Sequence, residues 1–228
     1  MTMPMTTLIL STRNAHKVEE IQSILSGNFR FLTLNDFAMA PKVSEDANSF
    51  AGNATKKSVE LAQWLSINAF KFEIGNTFVL ADDSGLEVDE LNGAPGIYSA
   101  RFAAVGEGNS SDVANNEKLL RLLKDVAREK RTARFRCVLA LTPVIPRKIE
   151  PQSPVCFVDE AEFRTEIFSG ACEGQIAFTA SGQGGFGYDP LFVPDGFAKS
   201  FAELGEGEKN KISHRANALK KLRAHFAG

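Results

Sequence analysis

The stretch Thr7-Leu-Ile-Leu-Ser-Thr-Arg-Asn-Ala-His-Lys-Val18 changes its period halfway. Leu8 to Leu10 form a short unbroken apolar run, the mark of a strand buried on both faces. From Val18 onward, Val18, Ile21, Ile24 and Leu25 recur at helical spacing, so one face of a helix is apolar. Ser11 to Asn14 lie between the two and carry turn and cap side chains. A strand passing through a polar loop into a helix opens an α/β fold.

The rest of the chain extends that unit. Gly27-Asn28 stops the first helix, and Phe29 to Leu34 read as a second strand. Ser49 caps another helix, with Phe50, Ala54, Leu61, Ala62 and Leu65 on one face. Thr77 to Ala81 are strand-like. Asp82-Asp83-Ser84-Gly85 predicts a break, after which Leu86 to Asp89 alternate as a half-buried strand does. Asn92 to Gly96 form a turn cluster, and Asp112 to Val126 predict a helix with Leu119, Leu120, Leu122 and Leu123 on a broad apolar face. Ala133 to Leu141 alternate clearly. Pro143, Pro146, Pro151 and Pro154 make 142–154 a surface loop, and Val155–Val158 and Ala161–Phe168 predict two antiparallel strands. Ser213 starts a last, basic helix. Strand–helix units followed by an antiparallel run predict an α/β fold with a mixed sheet, one domain over 1–228 whose halves form lobes around a cleft.

Composition narrows the chemistry. The 228 residues carry 26 Lys+Arg against 28 Asp+Glu, a formal charge of −2, which speaks against general nucleic-acid or membrane-surface binding. No apolar stretch approaches the ~20 residues of a membrane span. The three cysteines, Cys137, Cys156 and Cys172, form no C-x-x-C, and the start of the chain lacks signal-peptide features, so a reducing cytoplasm is expected. With only three histidines, zinc and Ser–His chemistries are poorly supplied. Carboxylates, lysines and backbone amides are left to carry a reaction.

Four segments hold them. Asp82-Asp83-Ser84-Gly85 ends an apolar strand with paired carboxylates, suited to a hard cation such as Mg²⁺ or to a base, or simply to a turn. Ser11 to Lys17 lie at a helix start, where free N–H groups, Arg13, His16 and Lys17 suit a phosphate; Asn14 also fits an ordinary N-cap. Ser181 to Pro190 satisfy G-x-G-x-x-G at Gly182, Gly184 and Gly187, but no helix follows, so the dinucleotide reading fails. Its glycines suit close approach to a flat ligand, with Phe186 and Tyr188 as stacking candidates, or a glycine-rich hairpin. Lys209, His214 and Arg215 offer donors for an anion or a carbonyl-rich base, or a solvated basic helix start.

These segments, in this order, resemble the inosine triphosphate pyrophosphatase family over roughly Leu8 to Leu222, most strongly in Thr12–Lys17, Ala81-Asp-Asp-Ser-Gly-Leu86, Gly93–Arg101, Gly184–Pro190 and Ile212–Arg215. The resemblance implies hydrolysis of ITP, dITP and XTP to the monophosphate and pyrophosphate, which clears the nucleotide pool. It implies a long mixed sheet flanked by helices in two lobes around a nucleotide cleft, a homodimer and a Mg²⁺ cofactor. It places Thr12, Arg13, Asn14, Ala15, His16, Lys17 and Lys57 on the triphosphate. Asp83 becomes proton acceptor and metal ligand, supported by Asp82, and Ser84 meets the substrate. Phe186, Gly187, Tyr188 and Asp189 line the base pocket, and Lys209, His214 and Arg215 read the base. A 6-keto acceptor rewards such donors where a 6-amino group leaves them unpaired.

One position departs. The family carries a metal-binding Glu in a Phe-x-Glu-Asn-Ala segment, and Ser49-Phe-Ala-Gly-Asn-Ala54 puts Gly52 there. This implies a weaker Mg²⁺ requirement or slower turnover, with Glu45, Asp46 or water as substitutes. It also opens an alternative: a nucleotide-binding regulatory protein with impaired catalysis.

Overall fold

In the computed structural model, which describes residues 5–25, 27, 29–68, 76–106, 108–145 and 164–227, the opening apolar run is the second strand of a six-stranded sheet. β1 is Thr6–Leu10 and α1 is Ala15–Ile24; β2 is Phe29–Thr33 and α2 is Phe50–Asn68. β3 is Thr77–Val88, α3 is Asp112–Leu122 and β4 is Thr132–Pro143. β5 is Glu166–Ile176 and β6 is Phe192–Pro194; α4 (Phe201–Leu204), α5 (Glu206–Ile212) and α6 (His214–Ala227) close the chain. The sheet order is β2-β1-β3-β4-β5-β6. β1 runs parallel to both β2 and β3, and β5 runs antiparallel to β6, so the sheet is mixed.

The chain divides into two units, Met1–Asp82 with Leu139–Phe168 and Asp83–Val138 with Ser169–Gly228. In the first, Ile9 and Val79 of the parallel strands pack with Leu61, Ala62 and Leu65 of α2 and with Val144. Leu8, Ile9 and Leu10 have no exposed surface, as expected of a strand covered on both faces. In the second, Leu86, Val88, Phe135, Tyr188, Phe192 and Phe201 pack in one core with Leu119 and Leu123.

Three sequence expectations are corrected. The predicted turn at Asp82–Gly85 does not form: β3 continues through it for 12 residues. β3 is paired with β1 over Thr77–Leu80 and neighbours β4 in the sheet order, and membership of a sheet outweighs a local turn preference. The helix predicted over Asp112–Val126 stops at Leu122. There the buried Arg131 guanidinium takes over the chain end, donating to the carbonyls of Leu123 (2.6 Å) and Val126 (3.1 Å), and Leu122 is left exposed. Thr142 and Pro143 belong to β4, not to a surface loop; Thr142 is fully buried and its Oγ1 donates to Ser58 Oγ at 2.9 Å. The remainder of that loop from residue 146, and the strand expected at 155–158, lie outside the described residues. The strand expected at 161–168 begins at Glu166 and runs on to Ile176, its first three expected residues also lying outside the described ones.

Candidate functional site

In the first unit, the loop after β1 is shaped by its own side chains. Asn14 caps α1: its side-chain oxygen accepts from Lys17 N at 3.1 Å, while Thr12 Oγ1 accepts from Asn14 N at 3.2 Å. The ordinary cap reading of Asn14 therefore holds, and the helix start it creates still directs N–H groups and the positive end of the dipole outward. Arg13, Asn14, Ala15 and His16 are exposed and Thr12 is half-buried, as an anion-binding edge requires. His16 Nδ1 lies 3.8 Å from Glu19.

Lys17 turns inward from α1 and ion-pairs with the carboxylate of Asp82 on β3. Lys57, 8% exposed on α2, reaches the same strand residue from another side, donating to Asp82 O at 2.8 Å. Its Nζ also bonds Glu45 Oε1 at 3.1 Å. Two ammonium groups thus converge on one residue of β3. Asp46 behaves differently: it pairs with Lys56 at 2.6 Å, and that bond, followed by the lysine's charge, holds its carboxyl below the usual range. Of the two side chains proposed as substitutes for a glutamate at position 52, Glu45 is the one that meets Lys57.

Asp82 and Asp83 are the two carboxylates that the family resemblance assigns to the metal. On an uninterrupted strand, neighbouring side chains point to opposite faces, and the Asp82 carboxylate is bonded to Lys17. Among the described residues no three His, Cys, Asp or Glu side chains gather as a metal cage. Mg²⁺ does not need one, since one or two carboxylates plus substrate phosphate oxygens satisfy it. Asp83, a hard oxygen donor on β3, fits that smaller requirement.

Nor does position 52 hold an open gap. A Cβ on Gly52 would lie 2.8 Å from Ala47 Cβ and 3.2 Å from Ser49 Oγ, so the segment before α2 fills the space. Asn53 Oδ1 accepts from Ala47 N at 3.0 Å and Ser49 Oγ accepts from Gly52 N at 3.1 Å, which fastens that segment to the helix.

In the second unit, Gly182–Pro190 form a loop whose glycines bend as the sequence suggests: Gly182, Gly185 and Gly187 all have positive φ. Asp189, 1% exposed, organises it by accepting from Phe186 N at 2.9 Å and from Lys209 Nζ at 2.6 Å. Lys209 Nζ also lies 4.5 Å from the centre of the half-buried Phe186 ring. Tyr188 is corrected as a stacking candidate. Its ring is 3% exposed in the core, its hydroxyl donates to Ser99 O at 2.8 Å, and burial pushes its pKa up. Stacking is left to Phe186. His214 lies flat on Phe135, ring centres 4.8 Å apart. Arg215 is wholly buried and donates from Nη2 to Ser84 Oγ at 2.9 Å. The structure brings Phe186, Asp189 and Lys209 together, and Ser84 with Arg215.

Two residues escaped the sequence reading. Asp112 Oδ2 accepts from Gly187 N at 2.6 Å, and Asn116 Nδ2 donates to Gly187 O at 2.9 Å. Their four-residue spacing on α3 was a usable signal, obscured by the leucines that define the helix.

Known proteins resemble this chain along nearly its whole length. The chain is 44% identical to the dITP/XTP pyrophosphatase of Desulforamulus reducens over 215 residues, 94% of this chain and 92% of that protein. It is 43% identical to the dITP/XTP pyrophosphatase of Clostridium perfringens over 221 residues, 96% of this chain and 97% of that one. The solved Ham1 protein of Staphylococcus aureus superposes with a TM-score of 0.75 at 34% identity, covering 98% of this chain and 99% of its own. The sequence profile of the Ham1 family matches residues 8–225. A match of that extent, with relatives this similar along their whole length, means that the chain belongs to the Ham1 family.

Proposed function

We propose that this protein hydrolyses deaminated purine nucleoside triphosphates (ITP, dITP and XTP) to the nucleoside monophosphate and pyrophosphate. The observation that carries the reading is the convergence of Lys17 and Lys57 on Asp82 of β3, next in the chain to the carboxylate of Asp83. It is supported by near-full-length likeness to proteins named for this activity.

The chemistry follows from those groups. Thr12 to Lys17 take the triphosphate at the start of α1, where N–H groups and the helix dipole favour anions. Lys17 and Lys57 neutralise charge that develops as water attacks the α-phosphate. Asp82 holds Lys17 in place through its carboxylate and Lys57 through its carbonyl. Asp83 orients the water and accepts its proton. Mg²⁺, held by Asp83 and substrate oxygens, supplies further charge neutralisation when bound. The leaving group is pyrophosphate, stabilised by the same cations.

At the base end, Phe186 stacks on the purine and Ser84 offers its hydroxyl. Lys209 and Arg215 are buried behind them, and their positive charge, with His214, favours a 6-keto oxygen over a 6-amino group. The protein works as a cytoplasmic homodimer on this reading. Among the described residues no helix is long and apolar enough to cross a membrane.

Incubation of the purified protein with ITP, XTP, dITP, GTP and ATP, with and without Mg²⁺, tests this. Pyrophosphate release from the first three, well above GTP and ATP and dependent on Mg²⁺, is expected. Nucleotide binding without product, or release of orthophosphate, overturns it.

A further inference from the structure

We infer that Asp112 and Asn116 are positioning residues that set the affinity of the enzyme for its base, by clamping Gly187 from outside the pocket. The inference rests on the functional reading above, in which the loop carrying Phe186 receives the purine.

The loop has little stiffness of its own. Gly185 (φ +73°) and Gly187 (φ +63°) occupy backbone conformations that side chains disfavour, and glycine loses more conformational freedom on ordering than any other residue. Something outside the loop must hold it. On one side Asp189 does so, bonded to Phe186 N and Lys209. Gly185 is needed there, since a Cβ would come 2.1 Å from Asp189 Oδ2. On the other side the holder is α3. Asp112 and Asn116, one helical turn apart, take the N–H and the C=O of the same peptide residue, Gly187, at 2.6 and 2.9 Å. The carboxylate bond is charge-assisted and short, the stronger class. The base of α3 is itself secured, because Ser111 caps it by accepting from Ala114 N at 3.2 Å. Gly187 follows Phe186 directly, so its placement fixes the ring that Lys209 approaches at 4.5 Å.

Asn115 on the same helix provides a contrast. Its Oδ1 accepts from Ala103 N and Ser110 Oγ, both at 2.8 Å, and has no bond to the loop. It holds the segment before α3, so its loss is a purely structural lesion.

The experiment compares Asp112→Ala/Asn116→Ala, Asp112→Asn and Asn115→Ala with the unaltered protein. It measures kcat and KM for ITP, Ki for inorganic tripolyphosphate and Tm. Pyrophosphate release from ITP by the unaltered protein is measured first, so that failure of the functional reading is seen apart from failure of the clamp; hydrogen exchange at Gly187 N–H reads the clamp in either case, and exchange no faster in the double variant overturns it. In the double variant KM for ITP rises about tenfold, the scale of losing a hydrogen bond to a charged group. kcat and the tripolyphosphate Ki stay within about twofold, because Lys17 and Lys57 are untouched. Asp112→Asn, which keeps an acceptor for Gly187 N, restores most of the KM. Asn115→Ala lowers Tm without moving KM. A folded double variant with unchanged KM overturns the inference. So does a parallel rise in KM and tripolyphosphate Ki, or an Asn115→Ala variant that reproduces the KM change.

Discussion

Asp82 and Asp83 are chemically identical neighbours with different proposed assignments, and neighbouring side chains on a strand leave by opposite faces. Asp82 carries Lys17 on its carboxylate and Lys57 on its carbonyl; Asp83 is assigned the proton transfer. Asp83→Asn removes the acceptor while preserving size, so kcat falls by at least ~100-fold, in line with loss of a positioned acid–base group. Circular dichroism should be unaltered, which separates a chemical lesion from unfolding, and a fully active Asp83→Asn enzyme would place the base elsewhere. The residue types were legible in the sequence: paired carboxylates, lysines and an aromatic among glycines. Their partners were not. Tyr188 and Phe186 look equivalent two positions apart, yet one is a core ring bonded to Ser99 O and the other is half-buried beside Lys209.

Among the elements, α2 shows how a helix can exchange a side chain for a neighbouring segment. Gly52 leaves room for Ala47, Asn53 fastens Ala47 N, and Lys57 one turn later receives Glu45. The family resemblance suggests that restoring a glutamate at position 52 should improve the enzyme; the packing argues the reverse. Removing a helix glycine returns up to about 1 kcal/mol, whereas forcing a side chain into an occupied space costs about 1–3 kcal/mol. Gly52→Glu is therefore expected to lower stability in urea unfolding and to reduce turnover, because displacing Ala47 pulls Glu45 from Lys57. A variant with raised stability and a raised rate would show that the space is free. Helix starts were legible here, since Ser49 and Asn14 cap as their positions predict. The continuity of β3 was not, because sheet pairing is a tertiary property that Asp-Asp-Ser-Gly does not encode.

Across the molecule, burial of ionisable groups sets the alkaline limit. Burial pushes the Cys172 thiol up to about 11 from an ordinary 9.0, and moves Tyr188 upward in the same sense. Both groups are neutral in the folded state at pH values where the unfolded chain has released its protons. A raised folded pKa means that the stabilisation is complete below the unfolded value and is lost as pH rises towards the folded one. Urea midpoints are expected to hold to about pH 9 and fall from there towards pH 11. Cys172→Ala should flatten the first part of that decline, and a wild-type midpoint constant to pH 11 would contradict it. By itself, the sequence determined the class of fold, the order of its strand–helix units, the family, and which side chains are chemically able to serve a nucleotide, because periodicity, caps and residue types are local properties. Only the tertiary structure decided which lysine meets which carboxylate, that Glu45 reaches Lys57, and that α3 grips Gly187. Lys17 and Asp82 are 65 positions apart and Asn116 and Gly187 are 71 apart. Pairings across such distances are selected by how the strands and helices pack, and nothing local to either partner encodes them.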